Sequence, residues 1–321
     1  MKKKKRIVPF IIKCFAIPAA AMFILYLLNI PYRKIDDEKY MDLWNLRMLG
    51  NQINEVEIAN IGSSHGAYNF VYKDLEEQGY SCFNFGNASQ TYTYDLALLK
   101  EYGKYIDEGC VLFIPVSYFS FNNETVNDTE AQALSIKYYH CLSPWNIPDY
   151  DLYTDIVTTR LPILSAGEDI LKLFPDLTLT VQAAEGEESG VNVEEFAERA
   201  RQRYDRHFNG KEEYFLPERI EELYAIIAYC KEHEITPVLI TTPFSQYYTQ
   251  LVSEAFLQQF NSIIEKAVSD TGVSYYDYSH DERFQSNLEY FSDSDHLNET
   301  GQAYFMEVLK EDVTELQEAL D

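Results

Sequence analysis

Five short apolar runs, each closed by turn residues, alternate along the chain with segments of helical periodicity. The runs are Val56–Ile61, Cys82–Phe85, Val111–Val116, Pro237–Thr242 and Val273–Tyr278. Val111–Val116 is apolar at every position, the pattern of a strand covered on both faces. Helices are expected over residues 66–79, Tyr92–Ile106, Pro217–His233, Leu251–Thr271 and Thr300–Leu320, three of them followed or closed by Gly79, Gly109 or Gly272. Strands and helices in alternation predict an α/β fold with a doubly wound, five-stranded parallel sheet. Ligands bind such sheets at the C-terminal ends of the strands. Ser64, Asn87, Ser117 and Thr242 all follow strands in this reading.

The alternation is interrupted over residues 120–215, a stretch too long for a loop. It is expected to be a mainly helical insertion that covers the site, with a flexible tip near Glu185–Gly190. The N-terminus differs again. Lys2 to Arg6 is basic, and Cys14–Ile30 carries no charge. Seventeen such residues reach the lower limit for a membrane span. Lys13 can snorkel to the headgroups and extend the span, and a kink at Pro18 is tolerated in membrane helices. Basic flanking residues place the N-terminus in the cytoplasm and the body outside it. The rival reading is a cleaved signal peptide with Ala19, Ala20 and Ala21 as its small residues, but the apolar run continues past them. The expected organisation is an anchor at 1–35 and an extracytoplasmic domain at 36–321, interrupted at 120–215.

Charge narrows the partners. The chain has 26 basic and 52 acidic residues, a net charge of −26. Residues 1–35 contain no acid, so the body is more acidic still. Such a body repels nucleic acid. Four cysteines outside the anchor have no metal-ligand spacing and support no disulfide assignment. No nucleotide-binding glycine loop and no metal cluster is visible, so no cofactor is expected. Tyr and Phe number 26 and 19; most belong to the core, although aromatic loops also bind sugars and lipids.

Two segments carry chemistry. After the first apolar run the chain reads Asn60-Ile-Gly62-Ser63-Ser64-His65-Gly66, and near the C-terminus Phe291-Ser-Asp293-Ser-Asp295-His296. A serine, a carboxylate and a histidine can activate a hydroxyl for acyl transfer. Residues three apart share a face of a helical turn, so Asp293 can orient His296 toward Ser64. Ser64 could instead cap a helix, Ser63 is an alternate nucleophile, and Asp295 is a rival carboxylate. His65 has no assigned role. Asn298 and the residues after it read as a turn and helix cap.

These segments resemble those of the SGNH/GDSL hydrolase superfamily. Gly62-Ser63-Ser64 is similar to its Gly-Asp-Ser block, and Asp293-Ser-Asp-His296 to its Asp-x-x-His block. Asn84-Phe-Gly86-Asn87-Ala-Ser89 resembles its second block. The resemblance covers 56–119 and 217–318 and implies Ser64 as nucleophile with His296 and Asp293 as its partners. It also implies an oxyanion hole, for which Ser89, Gly86, Asn87 and Ser117 are candidates. Two positions depart from the pattern: Ser89 stands for the usual Gly, and Pro115-Val-Ser117-Tyr118-Phe119 lacks the usual Asn. A subgroup without that Asn, and with an N-terminal anchor, includes the D-alanyl transfer protein of teichoic-acid D-alanylation and the O-acetylation proteins of exopolysaccharide export. The resemblance therefore implies an esterase or O-acyltransferase of the cell envelope. It would have an acyl donor, a polysaccharide or teichoic-acid-like acceptor and a membrane acyltransferase partner. The competing expectations are an inactive scaffold or polysaccharide-binding protein on the same fold, and a lipid-active esterase.

Overall fold

A computed structural model describes residues 4–39, 55–121, 135–174, 193–208, 210 and 214–321. The tip expected near Glu185–Gly190 lies outside the described residues. The chain divides into two compact units, residues 1–47 with 135–186 and residues 48–134 with 187–321.

The second unit contains the sheet. Its strands are β1 (Val56–Asn60), β2 (Cys82–Asn84), β3 (Ile106–Pro115), β4 (Thr236–Thr241) and β5 (Ser274–Asp277). They lie in the order β2-β1-β3-β4-β5, with every neighbouring pair parallel. All five expected strands are present, and β3 begins earlier than its apolar run. The connections reverse direction between β1 and β3, which makes the ends of these strands the topological switch point.

Helices cover both faces, as uniformly apolar strands require. Ile58, Val111, Phe113, Val238 and Ile240 point into a cluster with Leu75, Phe305, Leu309 and Leu316. The last four come from α3 (Lys73–Gln78), α8 (Glu299–Asp312) and α9 (Thr314–Leu320). Strand residues one step along the pleat, such as Leu112 and Leu239, are also fully buried. Helix α4 (Tyr92–Tyr102) packs on α6 (Pro217–Glu232), and α6 packs on β4 and on α7 (Glu254–Thr271). The helix expected over 66–79 is split into α2 (Ser64–Asn69) and α3, with Gly79 as a left-handed cap. That over 300–320 breaks at Val313, whose side chain is buried.

The insertion expected at 120–215 is not one body. Helix α5 (Val193–Phe208) belongs to the unit that contains the sheet, whereas residues 135–174 group with the N-terminal helix. The stripe Phe196, Ala200 and Phe208 is buried, which fixes α5 where a loop segment would have stayed exposed.

In the first unit α1 runs unbroken from Lys4 to Lys39. Its segment Phe15–Lys39 is long and apolar enough to cross a membrane, with a mean hydropathy of 1.7. The helix thus continues past the expected anchor boundary at residue 35. Tyr32 and Ile35 explain this, because they pack against Ile163, Ala166 and Leu173. Residues 40–54 lie outside the described residues.

Candidate active site

The turn after β1 is held from three directions. Asn60 is buried and donates from Nδ2 to Gly66 O (2.9 Å) and Asn84 Oδ1 (2.9 Å), while its Oδ1 accepts from Tyr72 (2.9 Å). The Gly62 amide donates to Asp95 Oδ1 at 2.7 Å. The Ser63 carbonyl accepts the Gly66 and Ala67 amides, both at 2.9 Å. Ser63 is the N-cap of α2 and makes no side-chain cap bond; Ser64 is the first helical residue. The capping alternative for Ser64 is thus not realised. Ser64 instead lines an open pocket of about 650 Å³ with Tyr68, Ser89, Arg203, Asp293 and His296.

Asp293 and His296 arrive on a loop that is tied at its base. Phe291 and Leu297 form an antiparallel bridge, and Ser292 N donates to His296 O at 2.9 Å. Asp293 Oδ1 accepts from the His296 amide (2.9 Å), and its Oδ2 lies 2.8 Å from His296 Nδ1. An ionised carboxylate only accepts, so Nδ1 carries the proton and Nε2 is left as the base. Asn69, on α2, accepts the Leu297 amide at 2.9 Å and so links this loop to the helix that begins with Ser64. Asn298 caps α8 through Gly301 N at 3.0 Å, as its sequence context predicts. Among the described residues no hydrogen bond joins Ser64 to His296; the two share one pocket wall.

Behind this wall lies a second histidine–carboxylate pair. His65 Nε2 is 3.2 Å from Asp295 Oδ2, and both side chains are fully buried. His65 Nδ1 faces Ser117 Oγ at 2.7 Å and Thr242 Oγ1 at 3.2 Å. Burial pushes the His65 pKa down, so a neutral ring donates from Nε2 and accepts hydroxyl protons at Nδ1. Burial opposes ionisation of Asp295, but the His65 hydrogen bond and the histidines around it hold its carboxyl well below the usual range. Asp295, the rival carboxylate, therefore pairs with His65, whereas Asp293 pairs with His296.

Helix α5 adds two residues that motif spacing did not indicate. Arg203 Nε lies 3.1 Å from Asp295 Oδ1. One of its terminal nitrogens is 3.1 Å from both ring nitrogens of His296. Equal distances put the guanidinium over the ring face, since an in-plane position would collide with Cε1. His207 Nδ1 accepts from Tyr248 at 2.6 Å, and burial lowers its pKa to about 3. The available signal was the stripe Phe196, Ala200, Arg203, His207, which keeps to one helical face. The donor atoms of His65, Asp295 and His296 lie within 4.8 Å of one another. The Arg203 cation against two of them opposes a metal ion there.

The four expected oxyanion residues separate. Ser89 lines the pocket and has a φ of 58°, the left-handed conformation natural to the Gly it replaces. Gly86 does not fit the role: its amide donates to Asn84 Oδ1 at 2.8 Å. A Cβ on Gly86 would come within 2.5 Å of Ala67 N, so this glycine allows the turn to approach α2. The Asn87 amide is engaged by Gly62 O at 3.0 Å. Ser117 is buried, and its hydroxyl lies 2.7 Å from His65 Nδ1. Among the described residues the cysteines 82, 110, 141 and 230 are buried free thiols.

The family described as DltD protein matches residues 183–311. No curated protein matches the chain. A solved structure described as a platelet activating factor from Streptococcus pneumonia is 14% identical, with a TM-score of 0.43, covering 91% of this chain and 98% of its own. A GDSL-like lipase from Bacteroides thetaiotaomicron is 11% identical, with a TM-score of 0.37, covering 84% and 98%. An acylhydrolase from Bacteroides fragilis is also 11% identical, with a TM-score of 0.38, covering 83% and 92%. The sheet order and the two chemistry-bearing blocks make this chain resemble the SGNH/GDSL superfamily, and over residues 183–311 it is similar to the DltD protein family.

Proposed function

We propose that the protein is a membrane-anchored serine acyltransferase or esterase acting on cell-envelope polymers outside the cytoplasm. The observation that carries this reading is the meeting of Ser64 with the Asp293–His296 dyad in one pocket at the switch point of the sheet. His296 Nε2 takes the Ser64 proton as Ser64 Oγ attacks an ester or thioester carbonyl. The N–H groups of Ser64, at a helix start where amides lack intrahelical partners, and of Ser89 stabilise the oxyanion. Collapse expels the alcohol or thiol, which takes the proton from His296. A polymer hydroxyl, or water, then gives its proton to His296 and attacks the acyl-Ser64 carbonyl, and His296 returns that proton to Ser64 Oγ as the serine leaves.

A binding-only role has one observation in its favour: Ser117, at the position of the absent Asn, is committed to His65. Labelling of the full chain with a fluorophosphonate separates the two. The expected result is one covalent adduct, lost in Ser64→Ala. An unlabelled wild type, or an adduct that survives Ser64→Ala, overturns the catalytic reading.

A further inference from the structure

The helix α1 rises about 33 Å from Ile7 to Leu28 at ~1.5 Å per residue, enough for a hydrocarbon core of ~30 Å. The side chains Phe15 to Leu28 are almost all exposed, as lipid-facing residues are. At Asn29 the surroundings change. Asn29 is only 3% exposed. Its Nδ2 donates to Arg160 O at 3.1 Å, and its Oδ1 accepts from Ile163 N at 3.2 Å. One turn further, Tyr32 is buried against Ile163 and Ala166, and Lys39 pairs with Asp169 at 3.4 Å. Residues 160–173 are thus bound along the helix from the level at which its lipid-facing stretch ends.

This segment and the residues before it leave large apolar side chains uncovered. Leu152, Tyr153 and Trp145 are 63%, 72% and 82% exposed, and Ile156, Leu164 and Phe174 are also open. Leu164 directly follows Ile163, so it emerges at the level of Asn29. Arg33 and Arg160 line one small pocket beside the same level, together with Asp36, Asp37 and Asp155. Trp and Tyr favour this boundary, and exposed apolar side chains beside them characterise surfaces that lie in it.

We propose that residues 135–174 form an interfacial shelf that rests on the phospholipid bilayer crossed by α1. Trp145, Leu152, Leu164 and their neighbours would be immersed at the headgroup–acyl boundary. The proposal rests on the anchoring reading above. Its occupant is the bilayer, because the shelf continues from the end of the span itself.

The test uses the full chain carrying Trp44→Phe, which leaves Trp145 as the single tryptophan, in phosphatidylcholine nanodiscs. Lipids brominated at upper acyl carbons are expected to quench Trp145 by at least about twofold, and Leu164→Glu to weaken that quenching without preventing incorporation. A chain that incorporates but keeps Trp145 open to iodide and untouched by bromolipid overturns the shelf and leaves the anchor standing. That outcome includes the case of a membrane protein covering the surface. A chain that does not enter nanodiscs overturns the anchoring reading, and the shelf with it.

Discussion

Ser89 holds a left-handed backbone with a side chain attached, at a cost of roughly 1–2 kcal/mol. Ser89→Gly keeps the amide and removes that cost, so it is expected to preserve or raise the labelling rate and slightly stabilise the fold. Ser89→Pro removes the amide and cannot adopt the angle; a loss of roughly 10²–10³ in rate is expected, with circular dichroism as the folding control. Equal behaviour of the two variants would exclude the Ser89 amide from the oxyanion site. The two aspartates differ in the same way. Asp293 is partly open and orients His296, so Asp293→Asn should cost up to roughly 10⁴ in rate while leaving the melting temperature nearly unchanged. Asp295 is fully buried between His65 and Arg203, so Asp295→Asn should destabilise the fold by about 3–5 kcal/mol. Reversal of this pattern would exchange their roles. Ser64 and His296 were readable because each sits in a compact block. Their chain neighbours His65 and Asp295 are not distinguishable from solvent-facing polar residues by spacing alone. Only their placement, one residue beyond the pocket wall and facing inward, makes them a pair.

Among the elements, α5 was the least legible. Its sequence Val193–Phe208 is charged at half of its positions, the usual mark of a solvated helix, and the stripe it offers is half polar. The central strands β3 and β4 were legible for the opposite reason: burial on both faces leaves them mostly apolar, and the turns between strands are marked by Gly, Asn and Ser. Helix α5 also introduces a pH dependence. His207 has a pKa of about 3, lowered mainly by burial from its ordinary 6.5. Between those values the unfolded chain binds a proton that the folded chain excludes. Stability from this group is complete above pH 6.5 and declines as pH falls toward 3. At pH 5 the loss is about 2 kcal/mol. Thermal melts at pH 7.5 and pH 5 should show that decline, and His207→Gln should reduce it while His65 keeps its own share. A His207→Gln profile that matches the wild type would mean that the histidine is not buried neutral.

At the scale of the whole molecule, the long apolar N-terminal helix and the parallel sheet were readable from composition and periodicity, but the pairing of residues 135–174 with that helix was not. It depends on Asn29, Tyr32 and Ile35 meeting residues far along the chain, and nothing in local sequence specifies such a partner. The division has a consequence for truncation. Every residue of the candidate site lies within 48–134 and 187–321, as do the sheet and the helices that cover it. By contrast, residues 160–173 depend on α1 for the Asn29 hydrogen bonds and for the only cluster that buries Tyr32, Ile163 and Ala166 among the described residues. Deleting residues 1–39 is therefore expected to leave fluorophosphonate labelling of Ser64 within about twofold of the full chain, since additivity holds for sites that share no partners. The same deletion should open residues 135–186 to limited proteolysis, because local stability follows buried contacts. Mass spectrometry of the fragments, read together with the label, checks both halves. Loss of labelling on deletion would mean that the sheet unit does not hold its site without α1. A truncated chain as resistant as the full one across 135–186 would mean that those residues are stabilised without α1.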